Sequence, residues 1–91
     1  MKVEWDEEKR RINLTRHGID FAALARLFEN APFTISDDRY DYGEQRYLTL
    51  GLLNGYVVAV VHTESDEVIR IISARKAERY EEIQYFKERW N

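Results

Sequence analysis

Side chains suited to proton transfer and phosphate binding lie close together between residues 62 and 75. This segment contains His62, Glu64, Arg70 and Arg75. Histidine gives or takes a proton near neutral pH, and a carboxylate can do so where its surroundings favour it. Arginine presents a planar fork of N–H donors that matches two phosphate oxygens. The segment therefore predicts a site that binds a phosphate group and moves a proton beside it.

Arg70 needs a partner, because an isoleucine lies on each side of it. Such neighbours indicate an apolar strand, and burying an unpaired guanidinium group there is costly. The partner is either a phosphate brought by a ligand or a carboxylate of this chain, with Glu44 and Glu64 as the candidates. For Arg75 the corresponding internal partner is Glu81 or the carbonyl groups of a helix end.

Two apolar segments, Tyr56–Thr63 and Val68–Ala74, are predicted to form the hairpin that carries these residues. Residues paired across an antiparallel hairpin point to the same face of the sheet. A three-residue loop, Ser65–Glu67, would pair His62 with Arg70. A turn of even length would send these two to opposite faces and set two glutamates against each other. We therefore expect the three-residue loop.

Strand parity separates the two arginines. Arg75 lies five residues after Arg70, so an unbroken strand would send it to the other face. It joins Arg70 only if the chain bends near Ser73 and Ala74.

The rest of the chain predicts helices and strands around this hairpin. Asp6 and Asp20 are suited to cap helices, Gly18 to end one, and Asn54-Gly55 to form a two-residue turn. The predicted helices cover about 7–17, 21–28 and 76–90, and the strands are Phe33–Ser36, Gln45–Leu52, Tyr56–Thr63 and Val68–Ala74. This order predicts a single α+β domain, residues 1–91, with two N-terminal helices, an antiparallel sheet of about four strands and a C-terminal helix. The last helix places Tyr80, Ile83 and Phe86 on one stripe, which we assign to core or interface packing.

Two further sets of polar side chains are candidates for binding. Lys9, Asn13 and His17 recur every four residues and form one stripe of the first helix, which could offer an amine and an imidazole to a ligand or hydrogen-bond neighbouring loops. Lys76 and Arg79 add positive charge after the hairpin.

Acidic residues cluster between the first and second predicted strands. Oxygen ligands of this kind suit a hard divalent cation, but no recognised metal-loop spacing is present. We interpret the cluster as a solvated loop or a docking surface for a basic partner, and we expect no metal or cofactor. Its members are Asp37, Asp38, Asp41 and Glu44.

Composition narrows the class of protein. The 91 residues contain no cysteine, which excludes disulfides and thiolate chemistry. The net charge is −3, which argues against nonspecific nucleic-acid binding, although the last 24 residues hold six basic against four acidic side chains. No apolar run approaches the roughly 20 residues needed to span a bilayer, and the N-terminus lacks a signal-peptide core, so we expect a cytoplasmic protein.

One ordered set of residues runs nearly from end to end of the chain at spacings that are specific when taken together. The set is Trp5-Asp6, Lys9, Asn13, His17-Gly18, Phe21, Gly43-Glu44, Arg46-Tyr47, Gly51, His62-Thr63-Glu64, Arg70-Ile71-Ile72-Ser73-Ala74-Arg75, Ala77, Glu81 and Tyr85. In this set the chain resembles the BrnT family of bacterial type II toxins, which share the RelE-like ribonuclease fold. The resemblance implies a metal-independent endoribonuclease that inhibits growth. It also implies neutralisation by a BrnA-type antitoxin of the ribbon-helix-helix class, in a complex that reaches DNA only through the antitoxin.

The resemblance gives the candidate residues roles in RNA cleavage. Arg70 and Arg75 would bind the phosphate and its transition state, and His62 or Glu64 would transfer protons. The supporting RNA contacts would come from Lys9, His17, Lys76 and Arg79.

One departure from the family pattern concerns Ser65, because many relatives carry an arginine at this position, directly after the Thr-Glu pair. Loss of that charge, together with the acidic net charge, favours an alternative function. In that alternative the chain is a noncatalytic module that binds a DNA-binding antitoxin and modulates repression.

Overall fold

The computed structural model describes residues 2–30, 33–39, 41 and 43–90. Its elements are β1 (Lys2–Trp5), α1 (Glu7–His17), two 3₁₀ turns (Phe21–Leu24 and Leu27–Glu29), β2 (Phe33–Ser36), β3 (Tyr47–Leu53), β4 (Tyr56–Ser65), β5 (Val68–Lys76) and α2 (Arg79–Trp90). The strands form one five-stranded sheet in the order β1-β5-β4-β3-β2. The predicted α+β class is confirmed.

Two details of the predicted fold are wrong. The sheet has a fifth strand, β1, which pairs in parallel with β5 and makes the sheet mixed. The N-terminal segment was too short and too polar to signal a strand, and its pairing depends on a distant partner. The second predicted helix is a pair of short 3₁₀ turns, in which Phe21, Leu24 and Leu27 are buried.

Helix α1 begins and ends as its sequence predicts. The side chain of Asp6 accepts a hydrogen bond from the amide of Glu8, and Gly18 adopts a left-handed conformation that ends the helix. Asn13, an unfavourable residue in the middle of a helix, is buried and ties α1 to the sheet. Its Oδ1 accepts from the amide of Ala74, and its Nδ2 donates to the carbonyl of Ile19.

The sheet buries apolar side chains on both faces. The face that carries α1 and the 3₁₀ turns, here called the α1 face, holds a core built around Phe21, Leu24, Val58, Val60, Ile69 and Ile71. The opposite face, here called the α2 face, holds Leu48, Leu50, Val57, Ala59, Val61 and Tyr85. Burial on both faces explains why β4 shows no alternation of apolar and polar residues.

Helix α2 buries a different stripe from the one first suggested by its aromatic residues. Tyr85 and Glu81 point inward and are 5% and 2% exposed. Tyr80, Ile83 and Phe86 are largely exposed. Assigning these three to the core was therefore wrong, and the interface alternative for them stays open. The stripe was misplaced because a carboxylate, Glu81, takes an inward position that the hydrophobic pattern could not reveal.

Candidate functional site

The turn between β4 and β5 sets which side chains share a face. Asp66 and Glu67 both have positive φ, 48° and 66°, and form a two-residue turn between Ser65 and Val68. Such turns match the twist of a hairpin. Thr63 therefore pairs with Arg70, and the predicted pairing of His62 with Arg70 is wrong.

The three-residue loop was expected because an even turn one position earlier would have set two glutamates opposite each other. Moving the turn forward by one residue removes this repulsion, since Glu64 pairs with Ile69 instead. His62 pairs with Ile71 on the α1 face. Arg70 points to the α2 face.

A β-bulge brings the two arginines of β5 to the same face. His62 pairs with Ile71 but Val61 pairs with Ser73, so Ile72 has no partner across the ladder. One extra residue shifts the alternation of all later side chains. Arg75, opposite Ala59, thus shares the α2 face with Arg70, opposite Thr63. The bend required for this was predicted near Ser73, and the structure achieves it by a bulge inside the strand.

Arg46 directly precedes β3, and the sheet register places it beside Thr63 of β4 and Arg70 of β5. Thr63 pairs directly with Arg70, and Tyr47 pairs with His62, so Arg46 stands opposite Thr63 one residue beyond. We call this set the arginine row. With strands about 4.8 Å apart, the α-carbons of its two arginines are separated by about 10 Å. The register therefore places the two arginine side chains on the α2 face, on either side of the Thr63 hydroxyl.

The ion pairs of the arginine row are loose. Arg70 Nη1 lies 3.4 Å from Glu4 Oε1, and the two side chains are 47% and 41% exposed. Arg46 Nε lies 3.3 Å from Glu44 Oε2, and its side chain is 22% exposed. The Arg70–Glu4 pair is exposed, and exposed pairs contribute little stability. A phosphate group could therefore compete with Glu4 for Arg70.

Arg75 is bound much more firmly. Its Nη1 and Nη2 donate to the two oxygens of Glu81 at 2.8 and 3.1 Å, and Nη1 also donates to the carbonyl of Lys76. Glu81 in turn accepts from the amide of Glu78, at the start of α2. Burial by itself would raise the pKa of Glu81, but the hydrogen bonds from Arg75 and Glu78 bring it below the usual value. Arg75 thus anchors α2 to the sheet through the internal partner expected for it.

His62 occupies a buried site on the α1 face. It is fully buried, its Nε2 lies 2.6 Å from Thr49 Oγ1, and that hydroxyl lies 2.7 Å from Thr34 Oγ1. Phe28 packs edge-on against the imidazole ring and Tyr47 stacks on it. Burial lowers the pKa of His62 to about 4, although the nearby backbone of Thr63 partly opposes this. The ring is therefore neutral at pH 7.

Glu64 is the exposed neighbour of this histidine. Its Oε1 lies 3.7 Å from His62 Nδ1, and its side chain is 42% exposed. Nδ1 makes no direct hydrogen bond within the described structure. Because Glu64 is two residues from His62 on β4, it also points to the α1 face, away from the arginine row.

The structure divides the remaining predicted site residues between elements. Lys9 and His17 are exposed on α1, which packs on the face opposite the arginine row. Lys76 pairs with Val58 on the α1 face, and its Nζ lies 5.0 Å from the ring centre of Tyr56. Arg79 is exposed at the start of α2. Of the predicted site residues on the strands, Arg70 and Arg75 point to the α2 face, on which the arginine row lies.

Sequence reasoning gave Arg46 no role, although the signal was present. Asn54-Gly55 forms the predicted two-residue turn, with positive φ at both residues. That turn alone pairs Tyr47 with His62 and so sets Arg46 opposite Thr63. Counting residue pairs outward from the Asn54-Gly55 turn would have placed Arg46 opposite Thr63.

The acidic cluster does not behave as a single solvated loop. Asp37 is 5% exposed, and its two oxygens accept from Nε and Nη2 of Arg39 at 2.8 and 3.1 Å. For Asp37 the solvated-loop prediction is wrong. Across the described residues, no three His, Asp or Glu side chains gather as metal ligands would. Within the same residues, no helix combines the length and apolarity needed to cross a bilayer.

Comparisons with known proteins assign the family. Residues 5–81 match the family model described as the BrnT ribonuclease toxin of type II toxin–antitoxin systems. The fold matches the 1.1 Å crystal structure of the Brucella abortus ribonuclease toxin BrnT with a TM-score of 0.69 and 32% sequence identity, over 87% of this chain and 99% of that one. A search of curated protein sequences finds no match. The chain belongs to the BrnT family of type II ribonuclease toxins.

Proposed function

We propose that this protein is a metal-independent endoribonuclease toxin that binds the RNA backbone on the arginine row. The observation that carries the proposal is the placement of Arg46 and Arg70 on either side of Thr63, on a part of the α2 face that lies outside the buried core beneath α2. Two guanidinium groups and a hydroxyl supply donors for the oxygens of one phosphodiester.

The arginine row is suited to stabilising a transition state as well as to binding. Cleavage by a 2′-hydroxyl places an extra negative charge on the phosphorane oxygens, and donors already oriented toward that charge lower the barrier. Arg75 is on the same face, opposite Ala59, which precedes Thr63 by four residues on β4. Since Glu81 holds it in place, we propose that Arg75 supports the site by its charge and by fixing α2.

Proton transfer requires a group with access to solvent, and His62 has none. We propose that a carboxylate takes this role, with Glu64 and Glu44 as the two candidates. Glu64 is exposed at the end of the hairpin but points to the α1 face. Glu44 lies beside Arg46, at the arginine row itself. RNA cleavage rates are measured in parallel for Glu64→Gln and Glu44→Gln. The variant whose rate falls identifies the general base.

The outer cations complete the proposed RNA path. Arg79 extends the positive surface along the α2 face, whereas Lys9, His17 and Lys76 would contact RNA that passes around the edge of the sheet. We further propose that the partner is a BrnA-type ribbon-helix-helix antitoxin, that contact with DNA is made only through it, and that the pair acts in the cytoplasm. Family membership supports a protein antitoxin as partner.

The test is cleavage of total RNA by the purified toxin, with and without EDTA. The wild type should cleave equally in both. Arg70→Ala should lower the rate by about 100-fold, the effect of removing one preorganised donor. Arg16→Ala, which removes an exposed arginine on α1, should leave the rate unchanged.

Other outcomes of this assay contradict the proposal in separate ways. Cleavage abolished by EDTA would rule out the metal-independent mechanism. No cleavage by the wild type, together with tight antitoxin binding, would favour the noncatalytic module, which the serine at position 65 and the acidic net charge support.

A further inference from the structure

A groove lined by apolar and polar side chains lies at the Leu52 end of β3. It consists of two adjoining hollows of about 310 and 380 Å³, which share Leu27, Asn30 and Leu52. We call it the edge groove. On one side Tyr85 and Phe86 of α2 line it, and on the other the first 3₁₀ turn.

The floor of the edge groove depends on a glycine. A Cβ on Gly51 would lie 2.5–2.7 Å from the side-chain carbons of Leu27, so only glycine lets the second 3₁₀ turn approach β3 this closely. The groove is thus a built feature of the packing. Its walls leave apolar surface in water, since Leu52 is 50% and Phe86 45% exposed. Clustered exposure of this kind usually marks a surface that another protein covers.

The charged side chains that line the edge groove are both cations. Arg26 lines one hollow and Arg89 the other, and no aspartate or glutamate is among the described lining residues. Arg89 Nη1 donates to the carbonyl of Asn30 at 3.5 Å, so it lies across the groove mouth. In a chain whose net charge is −3, a groove lined by apolar side chains and two arginines favours an acidic partner.

We propose that the edge groove is the docking site for an acidic amphipathic segment of the antitoxin. Apolar side chains of that segment would cover Leu52 and Phe86, and its carboxylates would pair with Arg26 and Arg89. This inference rests on the proposed function, because it takes the antitoxin as the partner. It goes further by giving the antitoxin a surface and a chemistry.

An RNA occupant fits this surface less well. RNA is held by phosphate contacts and base stacking, whereas leucine side chains and a single phenylalanine offer mainly hydrophobic burial. A protein segment uses both the apolar walls and the cations.

The edge groove is also separate from the arginine row. Arg46 and Leu52 are six residues apart along β3, which corresponds to about 20 Å. Attachment of the antitoxin and cleavage of RNA therefore depend on different residues. Changes in the groove should release the antitoxin without affecting the nuclease.

The experiment measures the affinity of purified toxin for the antitoxin encoded beside it, by isothermal titration calorimetry at two salt concentrations. Arg26→Glu with Arg89→Glu should raise Kd at least about tenfold and reduce its salt dependence. Leu52→Asp should raise Kd by a similar factor. The matched controls on α1, Arg11→Glu and Ile12→Asp, should leave Kd unchanged, since both residues are exposed away from the groove.

Circular dichroism and RNA cleavage accompany each titration. If Leu52→Asp does not fold, the surface double variant carries the test alone. Unchanged Kd in the folded groove variants overturns the proposal. So does loss of RNA binding, or dissociation of a wild-type homodimer in sedimentation, because each assigns the groove to another occupant. An antitoxin that does not bind wild-type toxin removes the proposed partner, while the cleavage assay still reports separately on the nuclease.

Discussion

The two sides of the β4–β5 hairpin differ completely although neighbouring residues form them. His62 points to the α1 face, where it is fully buried between Phe28 and Tyr47 and hydrogen-bonded to Thr49. Thr63, the next residue, points to the α2 face beside Arg70. The His62 side is buried and its ring is neutral at pH 7, whereas the Arg70 side is exposed and charged.

This difference shows why chemical residue types alone mislead. The histidine has the chemistry of a general base, but its surroundings leave it uncharged and out of contact with solvent. Arg70, 47% exposed and 3.4 Å from its partner Glu4, has better access to a ligand. We expect RNA to bind the side chains that solvent can reach. Changes on the α2 face should therefore affect activity, and changes on the α1 face should affect stability.

The largest effect is expected from removing both arginines of the arginine row. Arg46→Ala with Arg70→Ala should lower the RNA cleavage rate by about 1,000-fold or more, because both phosphate donors are lost. For Arg70→Ala alone the melting temperature should hardly change, because its ion pair with Glu4 is exposed. Rate and thermal melt are measured on the same preparation. A large loss of stability would contradict the separation of the two faces.

On the other side, His62→Ala should act on stability. The change leaves a cavity between Phe28 and Tyr47 and removes the partner of Thr49, so the free energy of unfolding should fall by about 3 kcal/mol. Urea unfolding measures it, with exposed His17→Ala as the control that should change nothing. Cleavage by the folded fraction should persist. Loss of cleavage in a folded variant would show that His62 takes part in chemistry.

Acid should weaken the α1 face through the same imidazole. The unfolded chain binds a proton at His62 near pH 6.5, whereas the folded protein does so only near the lowered pKa of about 4. The free energy of unfolding should therefore fall as pH decreases from 6.5 to 4, by up to about 3 kcal/mol. Denaturant titrations across this range measure the slope.

Comparison with His62→Phe isolates the contribution of this residue. The charged or titratable group that faces the ring is Glu64, with Tyr47 stacked beside it. The variant should lose most of the slope between pH 6.5 and 4. An unchanged slope would mean that the carboxylates, and not His62, govern acid stability.

A gain of function is expected from restoring charge to the α2 face. Ser65 is two residues after Thr63 on β4 and therefore points to the same face. Ser65→Arg should tighten RNA binding roughly threefold to tenfold by adding one phosphate contact. Fluorescence anisotropy with a short RNA measures it. Thr15→Arg, on α1, adds the same charge elsewhere and should have a smaller effect; equal effects would indicate general attraction only.

The smallest effect is expected at the outer end of the hydroxyl chain that reaches His62. Thr34→Val removes the partner of the Thr49 hydroxyl, but Thr34 is exposed on the edge strand β2. Water can take its place, so the free energy of unfolding should change by less than about 0.5 kcal/mol. A larger loss in urea unfolding would show that the chain of hydroxyls acts as a unit.

Much of the fold could be predicted because its signals are local. Asp6, Gly18 and Asn54-Gly55 each act through their own backbone conformation, and the structure has the expected cap, helix end and turn. The parallel strand β1 and the two 3₁₀ turns depend on distant contacts, which one sequence cannot reveal.

The candidate site was harder to predict, because its geometry depends on single-residue offsets. The turn at Asp66 and Glu67 and the bulge at Ile72 each shift the alternation of side chains by one position. Residue types indicated a candidate segment, and Arg70 and Arg75 do share a face. The direction of His62 and the position of Arg46 required the register itself.

The unpaired residue at position 72 also limits how this strand can change in length. Deleting Ile72 would restore simple alternation and turn Arg75 away from Glu81, which would release the start of α2 from the sheet. Removing or adding two residues would leave every later side chain of β5 on the same face of the sheet. Any viable length variant of β5 should therefore differ by an even number, and a protein designer grafting this hairpin elsewhere must carry the odd residue with it.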